Sequence, residues 1–207
     1  MRRVVIDAGD PDARAIAAAV EILHGGGVVA FPTDTLYGLA VDPRRRDAVE
    51  RLFALKGREA TAAVPLVASS LEQAVLAADF TEAEWRAAAT FWPGPLSIVA
   101  AANASLAREA LGGQTTVAIR VPAHEIARAL ARAFGFPITA TSANRSGQPP
   151  ADSAEAVAIG LGGVDALVDG GRAPGGAPST IIAFDGTRPR LVREGAVPWD
   201  RVIKSLR

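Results

Sequence analysis

Small hydroxyl residues and cations in this 207-residue chain gather at the ends of apolar, strand-like segments. Open α/β sheets hold their ligands at such places. Thr33 and Thr35 follow the apolar run Val28–Phe31, and hydroxyls two residues apart on extended chain point the same way. A turn in which Asp34 and both threonines satisfy backbone groups is the competing reading. Lys56 and Arg58 flank Gly57 where a helical pattern ends, a pair suited either to a polyphosphate or carboxylate or to compensating the helix dipole. Arg120 lies inside the apolar segment TVAIRVP. A charge there is costly unless partnered, so it faces a crevice or an anionic ligand, pairs with a structural Asp, or sits on an edge strand. Ser142, Asn144 and Ser179 add hydroxyls and an amide at further strand ends, and Arg193 adds a fourth cation. Together these residues predict a polyanionic, nucleotide-like ligand beside a small polar one. Lys56 and Lys204 are the only lysines in a chain that otherwise uses Arg, and Tyr37 is the only tyrosine. A lone mid-chain lysine suits a compact point-charge contact that a guanidinium cannot make.

The elements that must position these residues follow from periodicity and capping. Val4–Asp7, Val28–Pro32, Val64–Ala68, Leu96–Ala101, Thr116–Val121, Pro137–Thr141, Ala166–Val168, Thr180–Phe184 and Arg190–Val192 read as strands. Helices are expected after the Asp10-Pro11 start, over Asp47–Leu55 with Gly57 at its end, and over Ser70–Ala78. Others are expected from the Thr81–Glu84 capping box to Pro93, and over Ser105–Leu111, His124–Phe134, Ser153–Leu161 and Pro198–Leu206. Their alternation, with short connections, predicts one α/β domain over residues 1–207 around a largely buried mixed sheet. Gly170–Pro178 reads as a mobile loop between strands.

Composition narrows the chemistry. Lys+Arg and Asp+Glu number 22 each, whereas binding driven by counterion release favours a basic surplus; local clusters such as Arg44-Arg45-Arg46 leave room only for weak RNA binding. With no Cys, thiolate catalysis and Cys-ligated metal are excluded. His24 and His124 are too few for a His-rich metal site and read as structural, so no protein-ligated metal is expected. No Walker phosphate loop, dinucleotide fingerprint, nucleophile elbow or zincin motif occurs. No apolar run reaches the roughly 18 residues of a membrane span, and no signal segment opens the chain, so a cytoplasmic location is expected.

The segments PTDTLYGL, KGR, FWPGPLSIV, VAIRVP, TSANRSG, PSTII and LVREG, read in order, resemble the YrdC/TsaC family of L-threonylcarbamoyladenylate synthases, in a short single-domain form. The resemblance implies a YrdC-like twisted mixed β-sheet with flanking helices around a positively charged cavity. The implied reaction joins ATP, L-threonine and bicarbonate into threonylcarbamoyl-AMP and pyrophosphate. Mg²⁺ would accompany ATP, and a tRNA-modifying threonylcarbamoyl transferase complex would take the product. By the same resemblance Thr33, Thr35, Tyr37, Arg120 and Ser179 bind threonine, while Lys56, Arg58, Thr116, Ser142, Asn144 and Arg193 bind ATP. Lys56 and Arg58 would neutralise the triphosphate in the transition state. The segment KGREATAAVPL departs from the family pattern, with Glu59 where Pro is usual and Val64 where a polar residue is usual. A YrdC-like paralogue that binds nucleotide or RNA without synthase activity is the alternative.

Overall fold

The computed structural model describes residues 2–6, 11–57 and 63–206. Strand β1 (Arg2–Val5) leads to helix α1 (Ala13–His24). Asp12 caps α1, accepting a hydrogen bond from the Arg14 N–H at 2.9 Å; Asp7 and Asp10 lie outside the described residues. Strands β2 (Val29–Phe31) and β3 (Gly38–Ala40) form a hairpin, followed by α2 (Arg46–Lys56). Gly57 closes α2 in the left-handed region at φ 60°, the conformation that glycine adopts without strain. Next come β4 (Leu66–Val67), α3 (Leu71–Ala74), β5 (Ala78–Asp79) and α4 (Glu82–Phe91). The expected capping box opens α4: Thr81 Oγ1 accepts from Glu84 N–H while the Glu84 carboxylate accepts from Thr81 N–H. The chain continues through β6 (Leu96–Ala102), α5 (Arg108–Leu111), β7 (Thr116–Arg120) and α6 (Glu125–Phe134). It ends with β8 (Ile138–Thr139), β9 (Thr141–Ser142), α7 (Ala154–Gly160), β10 (Ala166–Asp169), β11 (Thr180–Asp185), β12 (Arg188–Arg193) and α8 (Trp199–Ser205).

The α/β class holds, with mixed sheets and flanking helices, but the strands divide into two sheets. One runs β1-β10-β2-β3-β9 and the other β12-β11-β6-β7-β4-β8, with β5 on a free stretch of β6. Both mix parallel and antiparallel pairs. The division explains the largest departures from the periodicity. The expected strand Pro137–Thr141 breaks at Ala140: β8 joins β4 in one sheet, and β9 joins β3 in the other. Ala140 itself donates its N–H to the Pro65 carbonyl at 2.8 Å. The expected helix Ser70–Ala78 stops at Ala74, because Ala78 and Asp79 take up the ladder of β6 opposite Ala102 and Ala101. Strand β3 is an addition to the expected strands, formed within the buried apolar run 36–41 that follows directly on the polar turn.

Three apolar clusters hold these layers. Ile16, Ala19 and Leu23 of α1 pack with Ile126, Leu130 and Phe134 of α6. Tyr37 and Leu39 pack with Leu52 of α2 and Val157 of α7. Leu96, Ile98 and Ile182 pack with Ala87 and Val202. Each fully buried Leu, Ile or Phe contributes about 1.5–3 kcal/mol relative to exposure. Val64 belongs to the second cluster and is fully buried, so the residue that departs from the family pattern points into the core.

Candidate functional site

Register brings the polar strand ends together. Ile181 lies opposite Ser97 on one side and opposite Arg193 on the other. Ile98 lies opposite Ile119, and the next step along the same antiparallel pair sets Arg120 beside Ser97. Gly38, at the end of the hairpin loop that carries Thr33 and Thr35, lies opposite Ser142. A cavity of about 440 Å³ opens between these ends, within the range of small-molecule sites. Seven of the candidate residues, Thr33, Thr35, Tyr37, Arg120, Ser142, Ser179 and Arg193, line it.

The hairpin loop is both a turn and a ligand wall. Thr33 Oγ1 donates to the Leu36 carbonyl at 2.7 Å and accepts from the N–H groups of Thr35 and Leu36. Its only hydroxyl proton is thereby placed, and the Thr35 hydroxyl lies 3.1 Å from it. The Tyr37 hydroxyl donates to the Gly171 carbonyl at 2.6 Å. Burial first, then the Asp169 charge, pushes the Tyr37 pKa up to about 12, which keeps the phenol protonated at any physiological pH.

Arg120 answers the question its position raised: it has a structural partner and also faces the cavity. Nη1 donates to Asp34 Oδ1, and the two side chains are only 7% and 9% exposed. Nη2 reaches the hydroxyls of Thr33 and Thr35 at 3.3 and 3.5 Å. Beside Arg120, on the neighbouring strand, Ser97 shares a hydrogen bond of 3.0 Å with Ser179. Arg193 is exposed in part, but its guanidinium turns inward: Nη2 donates to the Ser179 carbonyl at 2.7 Å and to Ser179 Oγ at 3.4 Å. Burial, then the Arg120 charge, holds the Arg193 pKa below its ordinary value. Arg120 and Arg193 thus bring two guanidiniums to the lining of one cavity.

The remaining candidates lie elsewhere. Lys56 is buried at the end of α2, where Nζ donates to the carbonyls of Ser142 and Asn144 at 2.5 and 2.9 Å; it holds the TSAN loop from behind and is not among the residues lining the cavity. Asn144 also turns inward on its loop, donating to the carbonyls of Arg145 and Gln148, and its Oδ1 is buried without a partner. Thr116 stands at the opposite end of β7 from Arg120, roughly 13 Å along the strand, and is not brought to the cavity. Arg58 and Glu59 lie outside the described residues. Ser97 is a cavity residue that sequence reasoning missed. The argument that singled out Arg120, a polar group inside an apolar strand, applied equally to it. The Gly170–Pro178 segment supplies Gly176 and Pro178 to the lining, and its Gly175 N–H donates to the Thr35 carbonyl at 2.8 Å.

His24 stacks on Phe134 with ring centroids 4.7 Å apart. His124 stands at the N-cap of α6 without a side-chain capping bond, and its buried Nδ1 has no hydrogen-bond partner among the described residues. Trp92 is packed edge-on against Phe80 and donates to the Leu96 carbonyl at 2.7 Å. Among the described residues no group of three or more His, Cys, Asp or Glu is placed to hold a metal ion. None of their helices is long and apolar enough to cross a membrane.

A mixed α/β fold of this kind is shared with the Sua5/YciO/YrdC family. Its family model, described as "Telomere recombination", matches residues 21–195, and the chain belongs to that family. The threonylcarbamoyl-AMP synthase of Pyrococcus abyssi (strain GE5 / Orsay) is 40% identical over 191 residues, covering 91% of this chain and 56% of the relative. The threonylcarbamoyl-AMP synthase of Halorhodospira halophila (strain DSM 244 / SL1) is 44% identical over 155 residues, 74% of this chain and 81% of the relative. The crystal structure of P. abyssi Sua5 complexed with L-threonine matches with a TM-score of 0.93 at 36% identity, covering 99% of this chain and 61% of that one. The chain thus spans little more than half the length of the P. abyssi relative.

Proposed function

We propose that the chain, as a single YrdC-like domain, makes threonylcarbamoyl-AMP. The observation that carries this reading is the buried Arg120 guanidinium, presented with the Thr33 and Thr35 hydroxyls to a cavity that Arg193 enters from the far side. It is supported by the names of the relatives and by the threonine bound to P. abyssi Sua5. In the proposed reaction the threonine amine and bicarbonate give a carbamate and water. A carbamate oxygen then attacks the α-phosphorus of ATP, and pyrophosphate leaves. The protein takes part in no covalent bond, so rate comes from positioning and from charge stabilisation.

In this scheme Arg120 holds the threonine carboxylate, with Thr33, Thr35, Tyr37 and Ser179 shaping the rest of that subsite. Arg193 and Ser142 face the nucleotide. Lys56 acts on it through the loop whose carbonyls it grips, and Arg58, Thr116 and Asn144 complete the nucleotide side. Arg58 lowers the barrier by offsetting triphosphate charge, and Lys56 contributes indirectly by holding the loop of Ser142 and Asn144 in place. Mg²⁺ enters as part of the nucleotide substrate, held by phosphate oxygens and water. The product is a mixed anhydride that a threonylcarbamoyl transferase complex consumes in tRNA modification, in the cytoplasm. Pyrophosphate release from ATP, with and without L-threonine in bicarbonate buffer, tests the reading. Release that needs both threonine and bicarbonate upholds it; a folded protein that releases none refutes it in favour of a binding paralogue.

A further inference from the structure

Hydrogen-bond counting around Ser97 leads beyond the residues assigned above. Ser97 lies on β6, 2% exposed, flanked by β11 and β7. Its hydroxyl has Ser179 Oγ as its one hydrogen-bond partner among the described residues. The pair carries two hydroxyl protons, and one suffices to join them, so one O–H is left for something else. An unmet donor is least tolerable at the more buried oxygen. Ser97 therefore donates to Ser179, and Ser179 Oγ also accepts from Arg193 Nη2 at 3.4 Å. With its acceptor sites so occupied, Ser179 has only its own proton to offer to the cavity. On the opposite wall the Thr33 proton goes to the Leu36 carbonyl, so Thr33 has no proton left for the cavity.

We propose that Ser97 is a positioning residue that fixes Ser179 as a hydrogen-bond donor toward the bound amino acid. The proposal rests on the synthase reading for the identity of that ligand. Without the Ser97 hydroxyl, Ser179 is free to turn its proton onto an internal acceptor, and the ligand loses its donor while the fold is kept.

The test is a double-mutant cycle of Ser97→Ala, Ser179→Ala and the double variant, with Ser97→Thr as the conservative control. L-Threonine binding is read by calorimetry, and KM and kcat by pyrophosphate release. Ser97→Ala is expected to weaken threonine binding about fivefold to tenfold, mainly in KM. Ser97→Thr restores most of it, and Ser97→Ala adds little in the Ser179→Ala background. Equal losses in the two backgrounds, or wild-type binding by Ser97→Ala, overturn the proposal. Should the wild-type chain bind no threonine, the synthase reading falls by itself. Thermal unfolding of the same four proteins then still decides the pairing, since non-additive shifts uphold it and additive shifts overturn it.

Discussion

Asp34 gives one carboxylate oxygen to the Arg120 guanidinium and the other to the backbone N–H of Ala123 at 3.0 Å. The aspartate thus sets the direction of Arg120 and ties it to the start of α6. The guanidinium is left with Nη2 for the cavity.

Removing Asp34 strands a buried cation. Asp34→Ala is expected to destabilise the fold by about 3–5 kcal/mol, the usual consequence of breaking a buried pair from one side. Asp34→Asn, which keeps an acceptor for Ala123, is expected to lose less. Urea denaturation measures both, and an unchanged midpoint for Asp34→Ala would contradict the pairing.

Lys56 meets carbonyl oxygens from two directions, a geometry for a compact ammonium and not for a planar fork. Lys56→Ala and Arg58→Ala are each expected to lower pyrophosphate release at least tenfold, about 1.4 kcal/mol of transition-state stabilisation. Lys56→Arg is expected to fail to restore it. Wild-type turnover in the two alanine variants would remove the roles given to these cations.

Gly195 runs so close to the segment before β11 that an added Cβ would come within 2.1 Å of the Pro178 carbonyl oxygen. Gly195→Ala must push that backbone, and Ser179 with it, out of the cavity wall. Weaker threonine binding than in a surface control such as Ser205→Ala is the expected calorimetric result.

The Tyr37 phenol gives a pH signature. Its folded pKa of about 12 lies above the unfolded value near 10. Between these values the folded chain binds more protons than the unfolded one. The contribution is therefore complete below about pH 10 and is lost as pH rises toward 12. Alkaline denaturation of Tyr37→Phe is expected to show a flatter stability profile over that interval than wild type.

The motif segments were legible because strand ends concentrate hydroxyls and cations, and because Arg120 inside an apolar strand demands a partner. The α4 capping box and the Gly57 terminus of α2 were legible because each depends on nearest neighbours alone. Less legible was anything fixed by backbone partners far along the chain. The carbonyls that receive Lys56 belong to residues 142 and 144, and no side-chain pattern announces them. Thr116 and Arg120 stand at opposite ends of one short strand, as the expected strand Thr116–Val121 already implied, although the resemblance assigned both to the ligands. The break at Ala140 depends on two sheets competing for a single apolar run.

That break has a mechanical meaning. Ser97, Arg120, Ser179 and Arg193 are mounted on one sheet or its strand ends, whereas Thr33, Thr35, Tyr37 and Ser142 are mounted on the other. The cavity is therefore a seam between two plates, bridged in the free protein by the Arg120–Asp34 pair. A small molecule that touches both walls acts as a rivet, and its binding energy is felt as resistance to the plates parting.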